Sequence, residues 1–167
     1  MKREELTCMF AKKIRGILER STVDFSVLEE IRLRAGQPLC VCCGGRERYL
    51  TVTGEATGHW RQAYQVTAGD IQETLEYVSR YSLYAFEEEL RQGFITIPGG
   101  HRVGLAGKAV VQGGEIRGLK YISFLNVRLA RQVKGCADRI LPYLWKGERF
   151  CHTLLVSPPR LGKTTLL

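Results

Sequence analysis

The feature that most constrains this chain is a repeated period-two pattern cut into short pieces by glycine-rich turns. Glu30-Ile31-Arg32-Leu33-Arg34 alternates charged and apolar side chains, which places Ile31 and Leu33 toward a core and the charges toward water. Ala35-Gly36-Gln37-Pro38 turns the chain, residues 39–43 give a second strand, and Gly44-Gly45 turns it again into residues 46–52. The three strands read as a small antiparallel meander. The pattern returns at Phe94-Ile95-Thr96-Ile97, which runs into Pro98-Gly99-Gly100 and resumes as a strand over 103–111. Gln112-Gly113-Gly114 opens another hairpin into 115–119. A further strand over 123–130 has Phe124, Asn126, Arg128 and Ala130 on one face and Leu125, Val127 and Leu129 on the other.

Two segments switch to the helical period. Leu6, Met9, Phe10, Ile14, Ile17 and Leu18 predict one amphipathic helix, with Lys12, Lys13, Arg15 and Glu19 on its wet side. Residues 54–58 form a loop. Thr67 and Asp70 have capping-box spacing ahead of a stripe of Ile71, Leu75 and Val78, and residues 83–92 continue helical up to a stop at Gly93. Glu87-Glu88-Glu89 reads as a solvated helix face. After Gly135 the segment 136–147 predicts a short helix or connector, and residues 150–156 form an apolar, β-rich run of the length of a buried parallel strand.

Charge narrows the choice of partner. The formal net charge is +8 and the isoelectric point is near 9.4, which favours an anionic partner: nucleotide, nucleic acid, an acidic protein face or an anionic membrane. No apolar run approaches the ~18 residues of a membrane span, and the charged start Met1-Lys2-Arg3-Glu4-Glu5 lacks a signal-peptide core, so a cytoplasmic location is expected. Among Cys8, Cys40, Cys42, Cys43, Cys136 and Cys151, the three at 40–43 crowd one strand, with Cys43 facing away from Cys40 and Cys42, too close together for a simple zinc knuckle; all six read as small buried hydrophobes in a reducing compartment. His59, His101 and His152 have no partner at metal-ligand spacing and read as structural or exposed.

The end of the chain carries chemistry. In "SPPRLGKTTLL", Gly162, Lys163 and Thr164 match the close of the phosphate-loop pattern Gly-x-x-x-x-Gly-Lys-Ser/Thr, with Ser157 in place of the first glycine. An apolar strand before the motif and a helix opening at Thr164 are the context that pattern requires. Backbone N–H groups of such a loop converge on phosphates. Pro158 and Pro159 have no N–H, so the cradle falls to Arg160, Leu161, Gly162, Lys163, Thr164 and Thr165. Lys163 is expected to set its ammonium on the outer phosphates of ATP, and Thr164 to offer its hydroxyl to Mg²⁺. The acidic residue that helps hold Mg²⁺ and the group that positions water are both expected on later segments, so the chain reads as cut just after the loop.

The stretches "EIRLRAGQPL", "YSLYAFEEELRQGFITIPGGHRVGLAGKAV", "LKYISFLNVRLARQVKGCAD" and "TLLVSPPRLGKTTLL" resemble the stage III sporulation protein AA family of endospore-forming bacteria. That family is similar to secretion and type IV pilus ATPases. The resemblance implies an α+β N-terminal domain over 1–134, with an antiparallel sheet and helices, and a connector over 135–149. Residues 150–167 would be the first strand and phosphate loop of a RecA-like ATPase core. It implies a homo-hexameric ATPase motor at the membrane channel complex between mother cell and forespore, in the mother-cell cytoplasm or peripheral at the membrane. It also implies that arginines of the N-terminal domain lean onto nucleotide. Arg128 and Arg131 are the candidates, with His101 and Arg102 weaker ones; the alternative is that the two arginines are solvated or pair with Asp138 or with Glu87-Glu88-Glu89. Two other functions are weighed beside the motor: a nucleic-acid-binding phosphate-loop protein, suggested by the charge, and a non-enzymatic oligomerisation or interaction module.

Overall fold

The alternation around Ile31 is realised as the centre of a seven-stranded sheet. Its strands are β1 (Leu28–Arg34), β2 (Cys40–Cys43), β3 (Arg46–Leu50), β4 (Ala56–Thr57), β5 (Phe94–Ile97), β6 (His101–Gln112) and β7 (Glu115–Arg128). They lie in the order β4-β3-β2-β1-β7-β6-β5, every pair antiparallel. The early meander and the later hairpins are joined where β1 meets β7. Register fixes one face as the core: Val41, Ile31, Val127, Val103 and Ile95 stand directly opposite one another in a row across five strands, and all are buried. A slip of one residue anywhere in that row would turn a whole strand's apolar set toward water. The structure thus has the expected α+β class, with a mainly antiparallel sheet and helices.

The computed structural model describes residues 3–82, 86–130, 134–158 and 162–166, with Thr164 described by its backbone alone. The chain divides into two units, Met1–Ala130 and Arg131–Leu167.

In the first unit the apolar face is covered by α1 (Arg3–Thr7), α2 (Lys12–Arg20), α3 (Ala68–Val78) and α4 (Glu87–Gln92). The single helix expected over 6–18 is in fact two. The chain breaks between Thr7 and Lys12, where Ala11 takes an extended ψ of 143° and makes no side-chain cap of its own. The break lets α3 cap α2: Thr74 Oγ1 accepts from the Ala11 N–H at 3.0 Å, and Glu73 Oε1 from the Lys12 N–H at 3.1 Å. Arg3 closes the other end, donating to the carbonyls of Leu18 and Ser21 at 2.6 and 2.7 Å. Orphan groups at both helix ends are satisfied by other elements, so the two helices are fixed in place by tertiary contact.

The capping box at Thr67 and Asp70 forms as the spacing implies. The Asp70 N–H donates to Thr67 Oγ1 at 3.1 Å, and the Thr67 N–H returns to Asp70 Oδ2 at 2.8 Å. Asp70 Oδ2 also accepts from the Tyr64 hydroxyl at 2.7 Å, and burial together with that carboxylate pushes the phenol above its usual range. Helix α4 stops at Gly93 in the left-handed region (φ 80°). The strands expected over 115–119 and 123–130 are one long β7, which passes through a bulge at Tyr121 (φ 51°) without ending. Gly107 opposite is required by the same bulge, since a Cβ there would stand 2.7 Å from the Lys120 carbonyl oxygen.

The second unit departs further from expectation. Residues 136–147 contain a 3₁₀ turn at Leu141–Leu144, followed by a small hairpin of β8 (Trp145–Lys146) and β9 (Arg149–Phe150). The buried parallel strand expected over 150–156 is not present beyond Phe150: residues 151–158 have no regular structure, and Leu154 and Val156 are each 85% exposed. Such a strand needs pairing partners on its edges and layers over both faces; among the described residues nothing pairs with 151–156. The chain ends in α5 (Lys163–Leu166).

Two outcomes test these contacts. Thr67→Ala should cost about 1 kcal/mol in denaturant unfolding, since it removes the N-cap of α3. His101 at the start of β6 is buried, and its Nδ1 accepts from the Ala130 N–H at 2.9 Å, which requires the unprotonated ring nitrogen. Burial holds its pKa below the usual 6.5. The unfolded chain therefore takes up a proton that the folded chain refuses, and stability present above about pH 6.5 should fall as the pH drops from there. Thermal midpoints across that range should fall less in His101→Gln, whose amide oxygen accepts without titrating.

Candidate functional site

The face of the sheet opposite the core is open to solvent and is where the strand charges collect. Glu30, Arg128, Arg102 and Thr96 are directly opposite neighbours on β1, β7, β6 and β5. Arg102 and Arg128 thus stand side by side, two like charges in a cross-strand pair that costs stability unless something compensates it. Compensation is partial. Arg128 Nε lies 3.9 Å from Glu30 Oε2, and the Arg102 guanidinium lies 5.0 Å from the centre of the Phe94 ring. With Gly100, Leu129 and Ala130, the two arginines line a shallow cavity of about 260 Å³.

Sequence reasoning ranked these residues differently. Within the first unit Arg128 pairs with Glu30 and not with the Glu87-Glu88-Glu89 run, of which Glu88 takes Arg91 at 3.5 Å. Arg131 lies outside the described residues. His101 is on the core face with its ring bonded to Ala130, so it does not reach the cavity its neighbour Arg102 lines. Arg102, named only as a weaker candidate, is the residue the register brings against Arg128. The face of Arg128 could be read from its strand; Arg102 was read as part of the hairpin before a strand starting at 103, and that β6 and β7 pair in this register could not be read at all.

A second group was not singled out in the sequence. Arg32 is bonded to both Glu30 and Glu47, and these contacts hold its guanidinium even more firmly charged than usual. Arg34 stacks over Phe124 at 4.9 Å. Both arginines, with Tyr49 and the exposed Trp60, line a cavity of about 300 Å³. Cys40 also faces it, and burial pushes that thiol up to about 11, so it is a packing group there and not a nucleophile. The expectation that all six cysteines are buried fails at Cys8, which is exposed; Cys42, Cys43, Cys136 and Cys151 are half-buried. His59 and His152 are exposed.

In the second unit the phosphate-loop motif is a bend leading into α5. Gly162 adopts φ 81°, and the N–H groups of Thr165 and Leu166 both bond to its carbonyl at 3.0 Å. The Lys163 ammonium turns back along the loop and donates to the carbonyls of Ser157 and Pro158 at 3.2 and 3.4 Å. Among the described residues of the loop, Lys163 is thereby held by neutral carbonyls alone, and its charge suits a phosphate. Ser157 Oγ bonds to the Pro158 carbonyl at 3.1 Å, and the Thr165 carbonyl accepts from Cys136 Sγ at 2.8 Å. Pro159, Arg160, Leu161 and the Thr164 side chain lie outside the described residues. No group of metal-ligating side chains is found among the described residues, and no helix among them is long and apolar enough to cross a membrane.

Comparison with known proteins places the chain. Over 140 residues it is 41% identical to stage III sporulation protein AA of Bacillus subtilis (strain 168), a match covering 84% of this chain and 41% of that protein. The chain thus spans about two fifths of the length of that curated relative. Among solved structures it is similar to the Legionella pneumophila ATPase DotB, at 10% identity and a TM-score of 0.35, over 69% of this chain and 28% of that one. The family model described as sporulation stage III, protein AA matches residues 1–167, and the chain belongs to that family.

Proposed function

We propose that this chain is part of an ATP-binding motor subunit that works at a secretion-like channel during sporulation, as a homo-hexamer. The observation that carries the reading is the loop 157–166, where Lys163 is folded inward onto the carbonyls of Ser157 and Pro158. A phosphate entering the loop would give the Lys163 ammonium an anionic partner in place of two neutral carbonyls, adding charge–charge attraction to the hydrogen bond. Gly162, in the left-handed region, takes a turn that other residues rarely adopt just before α5.

In this reading Ser157 to Thr165 hold the nucleotide, Lys163 neutralises its outer phosphates and Thr164 supplies a hydroxyl to Mg²⁺. The metal, when bound with ATP, offsets charge on the phosphates as water attacks. Arg102 and Arg128 form a separate pair in the first unit that is suited to an anion of its own. Their cross-strand repulsion is only partly offset by Glu30 and Phe94, and an anion bound between them would relieve it.

The test separates the two halves of the reading. In the whole protein, Lys163→Ala should weaken ATP binding about tenfold or more, the loss of one bond to a charged group. Unchanged ATP affinity in that variant rules out the loop as the nucleotide site. If the anion of the arginine pair is nucleotide, Arg102→Ala and Arg128→Ala should each weaken ATP binding while leaving the thermal midpoint in place. If neither alters the affinity, the arginine pair serves something other than nucleotide.

A further inference from the structure

The hairpin of β6 and β7 is longer than the sheet that contains it. Pairing with β1 ends at Phe124, and pairing with β5 ends at Gly104. Residues 107–122 therefore continue as a two-stranded ribbon with no further strand on either side among the described residues. It is closed by a tight turn at Gly113 and Gly114, both at positive φ. Two-stranded ribbons are marginal by themselves and normally need a surface to lie on.

The ribbon has two unlike faces. Ala109 stands opposite Leu119, and Val111 opposite Ile116, so these four share one face. Leu119 at its base packs against the core, which makes the apolar face a continuation of the protein interior. Beyond it the cover stops: Val111 is 60% and Ile116 51% exposed. On the other face Lys108 stands directly opposite Lys120, and among the described residues neither has a carboxylate partner. Tyr121, next to Lys120 at the bulge, is 81% exposed with φ 51°.

We propose that the ribbon 107–122 is an arm that docks on an anionic lipid bilayer. Val111 and Ile116 enter the boundary between headgroups and acyl chains, Lys108 and Lys120 bind lipid phosphates, and Tyr121 lies at headgroup level. Exposed apolar side chains near the turn, lysines behind them and an interfacial tyrosine are together the chemistry of such a surface, and the Glu115 carboxylate at the turn is offset by Arg117 at 3.2 Å. Lipid phosphate also relieves the Lys108–Lys120 repulsion, which an apolar protein surface would worsen. A second copy of this chain is a poorer match: the cavities lined by Arg32 and Arg34 and by Arg102 and Arg128 would set positive charge against Lys108 and Lys120. The inference concerns the unit without the phosphate loop, and its test contains no nucleotide, so it stands or fails independently of the motor reading.

Vesicle sedimentation tests it with the whole protein. Binding to equimolar phosphatidylglycerol–phosphatidylcholine vesicles should exceed binding to pure phosphatidylcholine vesicles and should weaken as salt is raised. Lys108→Glu combined with Lys120→Glu should reduce binding by about 30-fold or more. Val111→Ser with Ile116→Ser, at exposed positions, should reduce it about tenfold while the thermal midpoint stays unchanged. In Ile116→Trp, the added fluorescence should shift to the blue on binding and be quenched by lipids brominated near the headgroup. Equal binding of both double variants overturns the proposal, as does an unquenched tryptophan. Concentration-dependent self-association that the serine variant abolishes, without vesicle binding by the parent, would overturn it in favour of a contact between copies.

Discussion

The row Val41–Ile31–Val127–Val103–Ile95 is the constraint on which the rest of the first unit depends. It ties strands distant in sequence into one buried face, so every strand has a fixed register and a fixed outside. With the inside filled by Ile14, Ile17, Ile71 and Leu75 from the helices and by Phe10 from the link between α1 and α2, the outside must carry whatever charge the strands hold. That consequence sets Glu30, Arg32, Arg34, Arg102 and Arg128 on one surface. It also aligns Arg102 against Arg128, a juxtaposition that neither strand has alone.

The helices are subordinate to that sheet. Helix α2 begins with an alanine and has no cap of its own; Thr74 and Glu73 of α3 supply it. Helix α3, by contrast, carries its own capping box and ties it to the buried Tyr64 hydroxyl through Asp70. A locally well-determined helix thus completes a poorly determined one. This is why the sequence pattern over 6–18 read as one continuous helix: its apolar period is unbroken, and the partners that favour a break lie some sixty residues away.

Legibility of the candidate site followed the same division. The phosphate-loop motif could be read residue by residue because its chemistry is local: a glycine, a lysine and a hydroxyl residue in succession. The apolar run before it was read as a buried strand on composition, yet Leu154 and Val156 are exposed, since a strand is made by its neighbours. On the open face, alternation showed that Arg32 and Arg128 point outward. It gave no hint that Glu30 lies between them, because pairing across β1 and β7 joins residues about a hundred positions apart.

Sequence alone determined the antiparallel meander, the α3 capping box and the stop at Gly93. Each depends on groups within a few residues of one another, where bond geometry and local hydrogen bonding decide the outcome. Tertiary structure alone decided the strand order, the split of the first helix, the facing of Arg102 and Arg128 and the overhang of the 107–122 ribbon. These arise from register between distant segments, which the period-two pattern permits in many ways and only the shared burial of one face selects.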